Sequence, residues 1–194
     1  MALDYRKRCT QKLVKETMIE LLEEKPLHKI KVKELCEKAG INRATFYHNF
    51  EDIYSLYESL EDDFFENYKK IIAPQKMFSS NEEIEKGFVE QITYIAKNKR
   101  LFMIFYRSDR CALLLEKLMK KETEWMISFE DYSKWEKDET IAFDSKEELL
   151  MMNIFLIHGT FGLLYNIFSS GKDIEPKEFV GHMLKFYYKK MLIK

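Results

Sequence analysis

Apolar residues recur at intervals of three and four along most of the chain, which is the spacing of one face of an α-helix. The breaks between these patterns fall at residues that disfavour helix, namely Pro26, Ala73-Pro74, Asn98-Lys99 and Gly171. Only 6 glycines and 3 prolines occur, and no stretch is a convincing strand. The pattern therefore predicts an all-α fold of about nine helices. We expect the longer helices at 3–24, 53–72, 82–107, 110–130, 146–169 and 176–193.

A tight corner lies within residues 31–50, KVKELCEKAGINRATFYHNF. In its first half, apolar residues at i, i+3, i+4 and i+7 share one face, which leaves Lys31 and Lys33 in solvent. Gly40 can adopt the positive φ that a sharp exit from a helix demands, and Asn42 can cap the next helix. Two short helices joined in this way predict a helix-turn-helix. The inward residues of the first helix are Val32, Leu35, Cys36 and Ala39.

The second short helix has an inward side, where Phe46 and Phe50 fall together, and an outward side. An arginine can donate two hydrogen bonds to a guanine edge, and a small side chain can contact a thymine methyl. Hydroxyl, phenol and imidazole groups can hold phosphates. The outward residues therefore favour a helix that reads DNA, although helix-turn-helix geometry also serves protein contacts. These outward residues are Arg43, Ala44, Thr45, Tyr47 and His48.

The charge of the chain is unevenly distributed. Its net charge is -1, but residues 1–50 carry a net charge of +4 and the remainder a net charge of -5. A basic first quarter joined to an acidic body suits a protein that contacts a polyanion at one end only.

At these residues the chain resembles the DNA-binding domain of the tetracycline-repressor (TetR) family. The resemblance covers about 50 amino-terminal residues and rests on the run from Ile30 to Leu56, including Thr45-Phe46-Tyr47 and Phe50. It implies a DNA-reading domain at 1–51, followed by a helical domain at 52–194 that dimerises and usually binds a small effector. Residues 52–72 would form the connecting helix. By resemblance, Arg43 and Ala44 face bases, Thr45, Tyr47 and Asn49 face phosphates, and His48 is their neighbour.

The sequence departs from the family pattern at two places. Lys31 stands where the family usually has the Thr or Ser that opens the second helix, so this residue cannot cap the helix but can contact phosphate as a cation. We expect Lys33 to lie on the same DNA-facing side. Ile53 stands where a lysine commonly follows, so one phosphate contact of the family is expected to be missing.

The body carries no motif of catalysis. The four histidines are dispersed, and no phosphate-binding glycine loop occurs. The three cysteines are widely spaced, which indicates neither a disulfide framework nor a zinc site. We therefore expect a cytoplasmic protein that is not an enzyme and has no metal or cofactor.

Residues 149–168, LLMMNIFLIHGTFGLLYNIF, are about as long as a membrane-spanning helix. Asn153, His158, Thr160 and Asn166 interrupt this stretch, and charged residues precede it. These polar groups favour a helix buried in protein over a transmembrane segment.

Aromatic and methionine side chains are concentrated in the body. They can line a pocket for a small hydrophobic effector, and they can equally be ordinary core residues. The candidate pocket residues are Tyr94, Phe102, Phe105, Met119, Trp125 and Phe155.

Two glycines lie in the middle of the most apolar helix, where each costs about 1 kcal/mol relative to alanine. Close packing of helices explains them best, and by resemblance the last two helices pair with their symmetry mates. We expect a homodimer that binds a palindromic operator. The expected interface residues are His158, Gly159, Gly162, Phe179, Met183 and Phe186.

The sequence thus favours a dimeric, sequence-specific transcriptional repressor that a small molecule releases from DNA. The alternative is a protein of the same fold, a co-activator or nucleoid-associated factor, whose body recruits a protein partner and binds no small ligand.

Overall fold

The computed structural model describes residues 2–71, 81–116, 119–120 and 146–190. All regular structure in these ranges is helical, which confirms the all-α prediction. The candidate pocket residue Trp125 and the polar run at 131–144 lie outside the described residues. Residues 111–116 and 119–120 are also helical. The named elements are α1 (Ala2–Glu24), a 3-10 turn (Leu27–Lys29), α2 (Val32–Ala39), α3 (Arg43–Asn49), α4 (Ile53–Ile71), α5 (Asn81–Lys97), α6 (Lys99–Arg107), α7 (Lys146–Ser169) and α8 (Pro176–Lys190).

The helices end where the sequence predicts. Helix α1 stops before Pro26, a single turn residue, Asn98, separates α5 from α6, and Gly171 follows α7 with a φ of 78°. Gly40 and Gly171 both have positive φ, and both come directly after the last turn of a helix. Residues with little helix propensity therefore set the helix lengths.

The chain forms two compact units, which divide it differently from a boundary at residue 51. The first unit comprises Met1–Asn67 together with Arg100–Ser108. The second unit comprises Tyr68–Lys99 together with Asp109–Lys194.

The core of the first unit is built from one stripe on each helix. In α1 the buried stripe is Val14, Thr17, Met18 and Leu21, at helical spacing. The three- and four-residue spacing also assigns Leu13 to this face, and that assignment is wrong, because Leu13 is 47% exposed. Leu13 lies 100° around the helix from Val14, which points inward instead. The largest fully buried residues from the other helices of this unit are Leu35, Phe46, Leu56 and Tyr57.

Ion pairs connect α1 to its neighbours in the first unit. Lys38 of α2 lies 3.3 Å from Glu20 and 3.0 Å from Glu24. Arg100 of α6 donates two hydrogen bonds to Glu23, at 2.9 and 3.0 Å. It donates a third, at 2.7 Å, to Glu16. The hydrogen bond from Arg100 lowers the pKa of Glu23, so this pairing stabilises the fold while the carboxylate is ionised and weakens as acid protonates it.

The second unit is held by the last two helices and α5. Helix α8 packs against α5, and α7 buries a stripe at a spacing of four, three and four residues. No described helix is both long enough and apolar enough to span a membrane. The buried stripe of α7 is Ile157, Phe161, Leu164 and Phe168.

We predict that Gly40→Ala lowers the free energy of unfolding by about 1–2 kcal/mol, because an L-residue is strained at the φ of 66°. An added Cβ would meet no atom within 4 Å there, so conformation alone sets the penalty. Chemical denaturation of the full chain measures it. The control is Gly181→Ala within α8, where the added Cβ also meets nothing and helix propensity favours alanine. Equal effects of the two variants would contradict the prediction.

Candidate nucleic-acid interface

The corner between α2 and α3 is fixed by backbone hydrogen bonds. Gly40 is left-handed, and its N–H donates to the carbonyl oxygens of Cys36 and Glu37. The N–H of Ile41 donates to Cys36 O at 3.0 Å. The last carbonyl groups of α2 are thereby satisfied within the turn, and the chain leaves the helix in one direction.

Asn42 caps α3, as predicted. Its side-chain oxygen accepts a hydrogen bond from the Thr45 N–H at 2.7 Å. Lys31, at the corresponding position before α2, makes no side-chain cap, which also agrees with the sequence prediction. The start of α3 is thus the more rigid of the two, and this rigidity aims its first turn.

Helix α3 is anchored by Phe46 on one side and open on the other. Phe46 is completely buried, and its ring lies 5.9 Å from that of Phe50. Tyr47 is 56% exposed, with its ring edge-on to Phe46 at 5.4 Å. The open side therefore carries a rigidly supported aromatic residue. Three further residues on it are exposed, namely Arg43, Ala44 and His48.

Thr45 and Asn49 are half-buried and less available than these residues. The Asn49 side-chain amide donates to the Thr45 carbonyl oxygen at 2.8 Å. Its own oxygen is buried, and no group in the described part of the chain donates to it. The predicted contact between Asn49 and phosphate would require this amide to leave its bond within α3.

The two lysines near α2 are exposed. Lys33 lies 3.8 Å from Glu37, one helical turn away, and Lys31 is in extended backbone just before the helix. Surface ion pairs of this kind contribute little to stability, so the cation of Lys33 can exchange partners.

Helix α4 begins with reciprocal capping between Asp52 and Ser55. The Ser55 N–H donates to the Asp52 carboxylate at 2.7 Å, and the Asp52 N–H donates to the Ser55 hydroxyl at 3.0 Å. Ile53 is buried beside them. The position where the family commonly has a lysine therefore serves the core here, which removes a charge from this end of the domain.

Cys36 lies on the buried side of α2. Burial raises the pKa of its thiol, which keeps it protonated and unreactive at neutral pH. The corner therefore contains no redox trigger at this position.

The candidate effector residues are not brought together. Phe102 and Phe105 belong to the first unit, where Phe105 packs edge-on to Tyr57 and Phe64 at 5.7 and 5.5 Å. Tyr94, Met119 and Phe155 belong to the second unit.

Phe155 instead lies on the outside of the second unit, 54% exposed. It lines an apolar groove of about 400 Å³ between α7 and α8. The groove also includes three of the predicted interface residues, Gly159, Phe179 and Met183. His158 is exposed on α7 and Gly162 is half-buried, while the side chain of Phe186 is outside the description.

The exposed face of α7 is unusually apolar. Met151, Ile154, Phe155 and Leu163 are all exposed, opposite the buried stripe of the same helix. An apolar helix face in water indicates an interaction surface. Periodicity alone could not separate the two stripes, since both follow helical spacing.

Metal chemistry finds no support in the ranges that the structure describes, where no group of three His, Cys, Asp or Glu side chains could hold an ion. The remaining geometry is that of an exposed recognition helix on a small, well-anchored domain.

Comparison with known proteins agrees with this geometry. Residues 16–60 match the model of the tetR family of bacterial regulatory proteins. No curated protein matches the sequence.

Two solved structures share the fold of the chain. One is the fatty acid degradation regulator FadR from Bacillus halodurans, with a TM-score of 0.68 and 14% identity over 95% of this chain and 97% of the other. The second is a fatty acid metabolism regulator from Clostridium perfringens, with a TM-score of 0.64 and 17% identity over 94% of this chain and 100% of the other. With its TetR-type amino-terminal domain on an all-helical fold of this kind, the chain is a TetR-family regulator that binds DNA.

Proposed function

We propose that the protein is a homodimeric repressor that reads a palindromic operator through α3 and leaves it when a small apolar effector binds the carboxy-terminal domain. In this proposal residues 1–51 read DNA, residues 52–194 dimerise and bind the effector, and α4 connects the two. The observation that carries the proposal is the open side of α3, aimed by the Gly40 corner and anchored by Phe46.

Arg43 and Ala44 are proposed to contact bases, because they occupy the first turn of α3 and both are exposed. Tyr47 and His48 are proposed to hold phosphates, together with Lys31 and Lys33. Thr45 and Asn49 are proposed as minor contacts, since their side chains are half-buried.

Dimerisation is proposed to occur through the exposed face of α7 and the adjoining face of α8. Gly159 supports this assignment, because a Cβ added there would meet no atom of its own protomer within 4 Å. Alanine would therefore fit the single chain and favour its helix by about 1 kcal/mol. A glycine at this position is explained if a helix of a second copy approaches closely.

The effector is proposed to be an apolar compound, and a long acyl chain is the first class to test. Both solved structures described above are regulators of fatty acid degradation or metabolism. The effector of this chain needs its own demonstration.

We predict that Arg43→Ala weakens binding to the operator by about 1–3 kcal/mol and relaxes the preference at one base pair of each half-site. The reason is that a lost base contact removes discrimination at the base it touched. Binding titrations against operators substituted at each position measure the effect. A uniform loss across all sequences would show that Arg43 contacts only the backbone.

We predict that Lys31→Ala weakens operator binding without changing sequence preference. Its loss should reduce the slope of log K against log salt by about 0.9, the contribution of one neutralised phosphate. Titrations over a range of salt concentrations give the slope. Lys86→Ala, an exposed lysine of α5, is the matched control and should leave it unchanged.

We predict that Gly159→Leu raises the dimer dissociation constant by roughly tenfold or more, because overpacking costs about 1–3 kcal/mol. Sedimentation velocity over a dilution series measures the constant. Ala112→Leu adds an exposed leucine outside the groove and should leave it unchanged. A Gly159→Leu protein that dimerises as tightly as wild type would contradict this interface.

A further inference from the structure

A buried polar pair lies in the second unit, away from the proposed dimer groove. The Tyr68 hydroxyl, near the end of α4, donates a hydrogen bond of 3.2 Å to the side-chain oxygen of Gln91 on α5. Gln91 is 7% exposed and Tyr68 is 4% exposed. The bond fixes the direction of the Gln91 amide, because its oxygen is held by the tyrosine.

The surroundings of this pair are aromatic and aliphatic. The ring of Tyr68 lies 6.1 Å from that of Tyr94 and 6.5 Å from that of Phe161 on α7. Ile92 and Ile95 of α5 are buried beside Gln91 in the sequence. Three helices thus bring one oriented amide into a largely apolar environment.

The amide of Gln91 is only partly used. Accepting from Tyr68 engages its oxygen and leaves two N–H donors on the nitrogen. Within the described part of the chain, no acceptor meets these donors. A buried donor without an acceptor is unfavourable, so a molecule that supplies an acceptor gains affinity from the preformed site.

The charge of the site selects among acceptors. The residues named around Gln91 are neutral, and burying a carboxylate without a positive partner costs far more than burying a carbonyl. An uncharged carbonyl therefore suits the amide better than a free acid does. An ammonium group has no lone pair to accept the bond and is excluded for that reason.

We propose that the Gln91 amide binds the carbonyl oxygen of an uncharged, mainly apolar effector, and that Tyr68 is the positioning residue that orients this amide. The proposal rests on the effector-binding role given above and deepens it by naming the polar group of the ligand. A site built to donate this hydrogen bond discriminates strongly against analogues that cannot accept it.

Isothermal titration of the full-length protein with three probes of equal chain length tests the proposal. These probes are undecan-2-one, undecanoate and undecylamine. We expect the ketone to bind most tightly and the amine most weakly. Gln91→Leu should weaken ketone binding about tenfold, the loss of one ordinary hydrogen bond. The matched control is Thr93→Val on the same helix, because the Thr93 hydroxyl bonds to the Val89 carbonyl of its own helix. This control should not change ketone affinity.

A second variant separates a ligand-binding role from a structural one. The double variant Tyr68→Phe with Gln91→Leu removes both partners of the bond, a change that is nearly neutral when the pair is not needed for folding. We expect its ligand-free melting temperature to be close to that of wild type, with ketone affinity still reduced. A strongly destabilised double variant, together with unchanged ketone affinity in Gln91→Leu, would assign the pair a structural role and overturn the proposal.

The remaining outcomes also decide the matter. Undecanoate binding more tightly than the ketone would overturn the preference for an uncharged group. Failure of the ketone to bind the wild-type protein would overturn the carbonyl site. The proposed function would survive that failure if another compound released the protein from its operator, so the two failures are distinguishable.

Discussion

The left-handed conformation of Gly40 is the constraint on which DNA reading depends. A helix of seven residues cannot hold its own direction in water, because so few turns give little cooperative stability. Helix α3 is held instead at both ends of its first turn, by the glycine corner and the Asn42 cap. The buried Phe46 then fixes its rotation, so that Arg43 and Tyr47 face outward.

Local features of this kind could be predicted from the sequence. The Gly40 corner, the Asn42 cap and the break at Asn98 each depend on a few neighbouring residues, and each is confirmed. Lys31 was likewise expected to leave α2 without a side-chain cap, and it does. Glycine, proline and short polar side chains have strong local preferences, which is why these positions are readable without a structure.

Features that depend on distant residues were not readable. Arg100 pairs with Glu23 across 77 positions, and no local pattern marks either residue. Helix α7 is apolar on two faces, so its periodicity could not tell the buried stripe from the exposed one. The assignment of Phe155 to an internal pocket failed to anticipate its position on the exposed face for that reason. The bond between Tyr68 and Gln91 joins two helices and was missed in the same way.

A single short recognition helix offers only a few base contacts, so specific binding requires two copies held at a fixed spacing. This links the open side of α3 to the apolar face of α7 as parts of one function. Selection of duplexes from a random pool by the full-length protein tests that claim most directly. The account predicts enrichment of an inverted repeat whose half-site centres are about one helical turn, roughly 34 Å, or somewhat more apart. Enrichment of a single asymmetric site, or no enrichment over the starting pool, would contradict it.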